Sequence, residues 1–352
     1  GAVIGRLEGF SFVQAQGPAP GRSKTGGDAT SQILAAAKRA LRSEIVRRVQ
    51  ALGDARWSDF AVDRDGRIRW RDAPIAHLTK GADMFHPGIE IRQSDLITPR
   101  DRDHIGRHLT RWLRGYLDHR LKALATLAAA DLDGPARGLA YQLVQGLGAV
   151  SVRDARDQLG ALAPDARYRL TSLGIQFGNR AVYLGALTKR GPMATRAILW
   201  QAHAGHMIDL PAEPKAVTAQ PELDARDYMA LGYTAAGPLA VPTNKLERFL
   251  ARTTRAIRNG DTGVGLDDIA ELFGDDRESI LPALKSCGLT AKIGDDAIVL
   301  SPARANRRGP KKIHPSPSKS GAKSGRQRER TRDEKIDPQN PFAKLRHLQT
   351  AR

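Results

Sequence analysis

Between Pro99 and about Ala130, apolar side chains recur every three or four residues, the spacing that places them on one face of an α-helix. The stripe consists of Ile105, Leu109, Trp112, Leu113, Tyr116, Leu117, Leu121 and Leu124. Thr98 and Pro99 suit the start of such a helix, because a proline in the first turn gives up no helical hydrogen bond. The Gly134-Pro135 pair ends the pattern. A long amphipathic helix needs other elements to cover its apolar face, so the sequence predicts a packed, helix-rich fold.

Shorter patterns on either side of this helix extend the prediction. Four further helices are expected after it, at 136–147, 152–159, 164–173 and 192–203. Together with the long helix they predict a helical bundle over residues 99–210. Residues 1–98 differ, with one amphipathic helix at 31–52 and a hairpin turn at Asp65-Gly66. Short strands are expected around and after this turn, at 60–62, 68–70, 75–78 and 89–91. The first part of the chain is therefore expected to form a helix and a small β-subdomain.

Residues 211–303 begin with a proline-rich linker at 211–221 and continue with three helices and two strands. These elements are expected, in order, at 246–258, 266–273, a segment ending near Cys287, 289–293 and 297–300. Pro282 leaves the start of the third helix open, because proline is tolerated only in a first turn or at a kink. Three helices followed by a two-stranded wing predict a winged-helix-like module.

Positive charge is unevenly distributed along the chain. The net charge is +18, from 56 Lys and Arg against 38 Asp and Glu. Residues 304–352 carry 15 basic and 4 acidic residues, residues 262–303 carry 3 and 8, and residues 1–261 therefore hold a net +12. A large positive excess is typical of proteins that bind polyanions and release their counterions. We expect the basic regions to bind nucleic acid, and the acidic module to pack against other domains or a partner protein.

The segment 304–352 has too few apolar residues to offset the entropy of ordering, so it is predicted to be a disordered basic tail. Few aromatic residues are present, which favours contact with phosphates without sequence preference. The residues expected to make these contacts are Arg307, Arg308, Lys311, Lys312, Arg326, Arg328 and Arg330. The alternative is a tail that only keeps the protein in solution.

A second candidate surface lies on the predicted long helix. Arg107, Arg111 and Arg114 are separated by four and then three residues, which places three guanidinium groups along one side. Arginine offers paired donors to phosphate oxygens, so such a stripe suits a nucleic-acid backbone. The alternative is a solvated face on which the arginines pair with Asp103 or Asp118. The net charge of the surrounding region favours nucleic acid.

No complete catalytic or metal-binding motif is present in the sequence. The segment GRSKT at 21–25 lacks the four residues and second glycine that a phosphate-binding loop places before its lysine. His104 and His108 share one face of the predicted helix but have no third ligand at a suitable spacing. The single cysteine, Cys287, excludes a disulfide and a multi-cysteine zinc site within the chain. The sequence therefore predicts no catalytic residue, no metal ligand and no cofactor for this chain.

The same features suggest where the chain works. No apolar run approaches the roughly 20 residues that span a bilayer, and residues 1–12 lack the order of a signal peptide. A cytoplasmic location without a membrane partner is therefore expected. The chain starts at Gly1 rather than at a methionine, so we also expect it to be part of a larger protein.

Four short segments resemble one protein family. They are GRLEGFSF at 5–12, LAYQLV at 139–144, LGIQFG at 173–178 and NPFAKL at 340–345. These segments resemble the region after the motor core in bacterial relatives of the mitochondrial degradosome RNA helicase, which are ATP-dependent, Suv-type enzymes of superfamily II. The resemblance implies upstream RecA-like motor domains that use ATP and Mg²⁺, a C-terminal region that completes a ring around the strand, and a ribonuclease partner. Because the sequence lacks a Walker A motif and a DEAD- or DEVH-type box, the resemblance assigns ATPase chemistry to none of its residues.

These patterns predict a mainly α fold with small β elements: a helical bundle, a β-subdomain, a winged-helix-like module and a disordered tail. The expected function is that of the C-terminal nucleic-acid-guiding region of an ATP-dependent helicase. Its expected partners are single-stranded RNA or DNA and the motor domains upstream. The first alternative is a free-standing winged-helix protein with a nucleic-acid-binding or regulatory role. The second is a hydrolase whose site forms only when distant residues meet in the fold.

Overall fold

The computed structural model of the protein describes residues 5–14, 26–260, 263–274, 276–293 and 297–302. Helices make up about half of these residues, and their strands form small sheets in which every pair is antiparallel. The expected combination of helices with small β elements is confirmed at this level. All the described residues lie in one compact body, Gly1–Ala303, and the three units named below are parts of it.

The first part of the chain combines a long helix with two sheets. Strands β1 (Gly5–Glu8) and β2 (Ser11–Gln14) form a hairpin that the sequence analysis missed, and helix α1 (Gly26–Gly53) follows. Helix α1 begins earlier than the expected start at residue 31. The next four strands are β3 (Phe60–Val62), β4 (Arg67–Trp70), β5 (Ala73–Thr79) and β6 (Gly88–Ile91). They form a sheet in chain order, close to the positions expected from the sequence.

Helix α2 (Pro99–Arg120) is the long amphipathic helix indicated by the apolar stripe. Thr98 caps it, because its hydroxyl accepts from the Asp101 amide at 3.2 Å while the Asp101 carboxylate accepts from the Thr98 amide at 3.3 Å. The buried face contains Ile105, Leu109, Trp112, Leu113 and Leu117. The expected continuation to residue 130 is wrong, because the backbone leaves the helix at the fully buried Leu121. A separate helix, α3 (Lys122–Ala128), follows this break.

Residues 134–184 form the first of three units with related topology. The elements of this first unit are α4 (Gly134–Gln145), β7 (Ala149–Ser151), α5 (Arg156–Ala161), α6 (Pro164–Ser172), β8 (Ile175–Phe177) and β9 (Ala181–Leu184). The strands pair in the order β7-β9-β8. The sequence prediction of a helical bundle over 99–210 did not include these strands. They have three or four residues each, and β9 is buried along its whole length, so no alternating pattern marks them.

Residues 185–242 form the second unit. A 3₁₀ turn at Gly185–Thr188 leads into α7 (Arg190–Ala204), β10 (Val217–Thr218), α8 (Ala225–Leu231), β11 (Tyr233–Ala236) and β12 (Leu239–Pro242). The strands pair in the order β10-β12-β11. The sequence predicted a linker at 211–221 and no strand between its start and residue 246, so β10, β11 and β12 were not expected. Every residue of β12 is buried, so this strand too shows no alternation.

Residues 243–302 form the third unit. Its elements are α9 (Thr243–Arg258), β13 (Gly263–Gly265), α10 (Leu266–Phe273), α11 (Arg277–Ser286), β14 (Leu289–Ile293) and β15 (Ala297–Pro302). The strands pair in the order β13-β15-β14. The three helices and last two strands lie close to their expected positions, but β13 was not predicted. Pro282 lies inside α11.

All three units place their third strand between the first and the second. Each unit also has a glycine with positive φ directly before its second strand. These glycines are Gly174, Gly232 and Gly288, with φ of +88°, +89° and +79°. Each follows a helix, where glycine adopts the left-handed conformation without the strain that a Cβ would cause. The first and third units share the order helix-strand-helix-helix-strand-strand, whereas the second has one helix fewer.

A buried carboxylate joins the first unit to the third. Glu247 of α9 is 4% exposed and accepts hydrogen bonds from the amides of Asn179, Arg180 and Ala181 at 2.5, 2.8 and 2.8 Å. The three amides lie at the turn between β8 and β9. The side chain of Arg180 also donates to the carbonyl of Ser286 in the third unit at 2.7 Å. Charge-assisted bonds of this kind compensate the burial of the carboxylate, so they hold the turn against α9.

Candidate nucleic-acid interface

Three arginines of α2, Arg107, Arg111 and Arg114, form an exposed row that we call the α2 stripe. Residues four and three apart lie on the same face of a helix. Leu109 and Leu113, on the opposite face, are buried in the core. The structure therefore brings the three arginines selected from the sequence together on one solvent-facing surface.

No carboxylate in the described part of the chain neutralises the α2 stripe. Among the described residues, no Asp or Glu oxygen lies within 4.0 Å of the guanidinium nitrogens of the stripe. Arg107 makes one long hydrogen bond, 3.4 Å from its Nε to the backbone carbonyl of Asp103. The side chains of Asp103 and Asp118 are exposed at the two ends of the stripe but form no ion pair with it. The guanidinium groups are thus available to an external anion.

His108 lies next to the stripe on α2, and its surroundings disfavour the protonated, positively charged form of its ring. Burial lowers its pKa below the ordinary value of 6.5, and repulsion from the charges of Arg111 and then His104 lowers it further. Its ring packs against Phe60, with the ring centroids 5.6 Å apart. The positive field of this surface therefore comes mainly from the arginines.

An aromatic cluster lies beside the α2 stripe. The ring of Trp112 packs against Phe60, Tyr116 and Trp57, with centroid distances of 5.2, 5.3 and 5.9 Å. Trp57 belongs to a 3₁₀ turn, Trp57–Asp59, directly before β3. The indole N–H of Trp112 donates to the carbonyl of Trp57 at 3.3 Å, across 55 residues of sequence. This cluster attaches the β-subdomain to α2.

The indole of Trp57 lies against the backbone of α2 at Gly115. A Cβ at this glycine would lie 2.8 and 2.9 Å from two atoms of the ring, so a side chain there would displace the indole. Gly115 follows Arg114 in sequence and lies one helical turn after Arg111. Trp57 therefore sits next to two arginines of the α2 stripe, and the sequence analysis did not associate it with them.

A second row of arginines, which the sequence analysis also missed, lies on α9. Arg248, Arg252 and Arg255 are exposed and have the same spacing of four and then three residues. Within the described part of the chain they have no carboxylate partner either. We call this row the α9 stripe. Its spacing is visible in the sequence, but only the structure shows that all three side chains face solvent.

The α9 stripe differs from the α2 stripe in its aromatic surroundings. A groove beside the first turns of α9 is lined by Arg248 and by two aromatic residues, Phe177 and Tyr183. The guanidinium of Arg167 covers the Phe177 ring, 4.0 Å from its centroid, and Tyr183 is buried. These rings are therefore closed to a ligand, whereas the ring beside the α2 stripe is partly open.

The remaining candidates from the sequence make no described site. The basic residues chosen from the tail lie outside the described residues: Arg307, Arg308, Lys311, Lys312, Arg326, Arg328 and Arg330. The segment 21–25 lies outside them as well. In the described part of the chain, no group of three or more His, Cys, Asp or Glu side chains is arranged to hold a metal ion. Cys287 is a partly buried thiol whose pKa is raised by burial.

No family model, no curated protein and no solved structure matches this chain. None of the helices in the described ranges combines the length and the apolar character that crossing a bilayer requires. A functional assignment therefore depends on the geometry and charge of the surfaces described above.

Proposed function

We propose that this chain is the C-terminal nucleic-acid-guiding region of an ATP-dependent RNA helicase, and that its α2 stripe holds the phosphates of a single strand. The observation that supports this most directly is the row of three exposed arginines on α2, which have no acidic partner among the described residues. Each guanidinium offers paired donors to phosphate oxygens. DNA is the alternative substrate. Catalysis, ATP and Mg²⁺ belong in this proposal to motor domains upstream, as the family resemblance implies.

The third unit fits a winged-helix-like module within the same proposal. Its order of helix, strand, two helices and two strands, with the third strand in the middle of the sheet, supports this reading. The elements of this unit that follow α9 lie within residues 262–303, which carry a net charge of −5 and repel phosphate. We therefore propose that this acidic part of the module contacts protein, either the motor domains or a ribonuclease partner. The basic tail adds non-specific affinity for the strand, and the complex works in the cytoplasm.

The alternative of a free-standing winged-helix protein that binds nucleic acid has one specific observation in its favour. The first unit has the same element order, and its helix before the second strand, α6, exposes 76% of Tyr168. Arg167 and Arg169 flank this tyrosine on an exposed surface. However, Arg167 covers the Phe177 ring and Arg169 donates to the carbonyl of Asp131 at 2.7 Å, so both arginines already have partners. This makes α6 the weaker phosphate-binding surface.

Two charge-matched variants of the full chain test the proposal. One replaces the three arginines of the α2 stripe with glutamine, and the other does the same to the α9 stripe. Both lose three positive charges, and glutamine remains a good helix former on an exposed surface. Fluorescence anisotropy with a labelled oligouridine is measured at several salt concentrations. The slope of log affinity against log salt should become shallower by about 2 in the α2 variant, because each phosphate contact with a single strand contributes about 0.7.

The α9 variant controls for a general loss of positive charge, so its slope should change by less than about half of that amount. Circular dichroism should give both variants the melting temperature of the parent chain. Equal changes in both variants would mean that net charge, and not the α2 stripe, determines binding. An α2 variant that binds like the parent would contradict the proposal. Loss of binding in the α9 variant alone would favour the free-standing winged-helix protein.

A further inference from the structure

Trp57 is unusual among the tryptophans of this protein. The chain has four tryptophans, and Trp70, Trp112 and Trp200 are only 5%, 5% and 2% exposed. Trp57 is 48% exposed, so it leaves much of a large apolar ring in water. The ring lies beside the α2 stripe, whose arginines have no carboxylate partner in the ranges that the structure describes.

The Trp57 ring is held in place rather than left free on a loop. The glycine at position 115 lets one edge of the indole touch the α2 backbone, and Trp112 packs against it with the two ring planes 48° apart. Two hydrogen bonds, each 3.0 Å long, close the short turn around Trp57. The Arg56 amide donates to the Asp59 carboxylate, and the Asp59 amide donates to the Arg56 carbonyl. A ring that is already fixed loses little conformational entropy on binding.

No cation of the described part of the chain lies over the open part of the Trp57 ring. Among the described residues, guanidinium groups cover only Trp70 and Phe177, and none covers Trp57. Arg111 and Arg114 lie next to the contact point of the indole on α2, as neighbours on one helix surface. Phosphate-binding groups and an open aromatic ring are thus adjacent, the combination with which proteins hold single-stranded nucleic acid.

We infer that Trp57 stacks on a base of the strand whose phosphates bind the α2 stripe, so that this surface selects single strands over duplexes. The inference rests on the proposed function of the stripe. A single strand can turn an unstacked base towards the ring, whereas a duplex keeps its bases stacked between their neighbours. Stacking does not depend on base identity, because every base has a π-face. An acidic protein segment would also pair with the arginines, but it would not need the ring.

The test uses the full chain and two probes of equal length and phosphate number: an oligouridine, and the same strand with abasic residues. Trp57→Ala should weaken oligouridine binding about tenfold, within the range known for base-aromatic stacking. Trp57→Phe keeps an aromatic ring and should recover most of this affinity. The salt dependence should be that of the parent chain, since no phosphate contact is removed. Binding of the abasic strand should be the same for all three proteins.

Fluorescence offers a readout that needs no truncated side chain. Because the other three tryptophans are buried, quenching by a bound strand reports mainly on Trp57. Oligouridine should quench the emission of the parent chain more than the abasic strand does, and Trp57→Phe should abolish this difference. Gly115→Ala displaces the indole while keeping it in the protein, and it should weaken oligouridine binding with an unchanged salt dependence.

The outcomes separate this inference from the proposed function. If the parent chain binds both strands equally and Trp57→Ala matches it, stacking is refuted while phosphate binding by the α2 stripe stands. If Trp57→Ala weakens both probes equally, the residue supports the fold of the site and does not stack. If neither probe binds the parent chain, or the α2 variant binds as tightly as the parent, the proposed function itself fails. Equal affinity for a duplex and a single strand would also overturn the selection for single strands.

Discussion

Replacing Glu247 tests the joint between the first and third units. Its carboxylate accepts three backbone N–H groups at the turn between β8 and β9. Oε1 accepts from Arg180 and Ala181, and Oε2 accepts from Asn179. In Glu247→Gln the remaining oxygen can keep the first two bonds in weaker, neutral form. The new NH₂ group then faces the amide of Asn179, donor against donor, so this third bond is lost.

The expected loss of stability follows from these three bonds. Hydrogen bonds to charged groups contribute about 1.5–3 kcal/mol each, and a buried amide without a partner costs about 1–3 kcal/mol. Glu247→Gln loses one bond and weakens two, but it also avoids the desolvation of a charge, so we expect a loss of about 2 kcal/mol. Glu247→Ala leaves all three amides without this partner and creates a cavity, so we expect about 4 kcal/mol.

Urea unfolding followed by far-ultraviolet circular dichroism measures these losses through the shift of the midpoint at constant slope. Glu271→Gln is the matched control, since Glu271 lies exposed on α10 and its loss of charge is the same. The control should stay within about 0.5 kcal/mol of the parent chain, as expected for a surface change. If Glu247→Gln is no less stable than this control, the carboxylate does not hold the turn and the argument from burial is wrong.

Two further predictions concern the charged surfaces. Removing residues 304–352 takes away a net charge of +11. The slope of log affinity against log salt for oligouridine, measured by anisotropy, should therefore become shallower. An unchanged slope would show that these residues do not contact phosphate. Arg111→Gln should raise the pKa of His108 in an NMR titration, because the charge of Arg111 contributes, after burial, to lowering it. The folded-state pKa of His108 lies below the unfolded value of 6.5, so the free energy of unfolding decreases as the pH falls below about 6.5. Arg111→Gln should make this loss of stability smaller, because it brings the two pKa values closer together.

The features that depend on neighbours along the chain were predictable. The apolar stripe of α2, the cap at Thr98 and the row of Arg107, Arg111 and Arg114 all follow from spacings within one helix. The same reasoning was available for the α9 stripe, whose arginines have the same spacing. The spacing alone does not show that these three side chains face solvent, because their exposure depends on how α9 packs in the fold.

The strands of the three units were harder to predict. Strands β7 to β9 have three or four residues each, and β12 is buried throughout, so none shows a long alternation of apolar and polar residues. Their pairing joins segments that are distant in the sequence, and the shared sheet order becomes visible only when these pairs form. The apolar spacing also gave no sign of the break at Leu121, where a φ of −117° and a ψ of 39° leave the helical range at a fully buried residue.

The sequence by itself therefore determined the long helix, its arginine row, the absence of a complete ATPase motif and the uneven distribution of charge. Only the tertiary structure decided that these arginines have no carboxylate partner among the described residues, that Glu247 binds a turn 66 to 68 residues away, and that Trp57 lies beside the α2 stripe. The reason is the range of the interactions. Helical spacing acts over three or four residues, whereas burial, ion pairing and ring contacts depend on which distant segments the fold brings together.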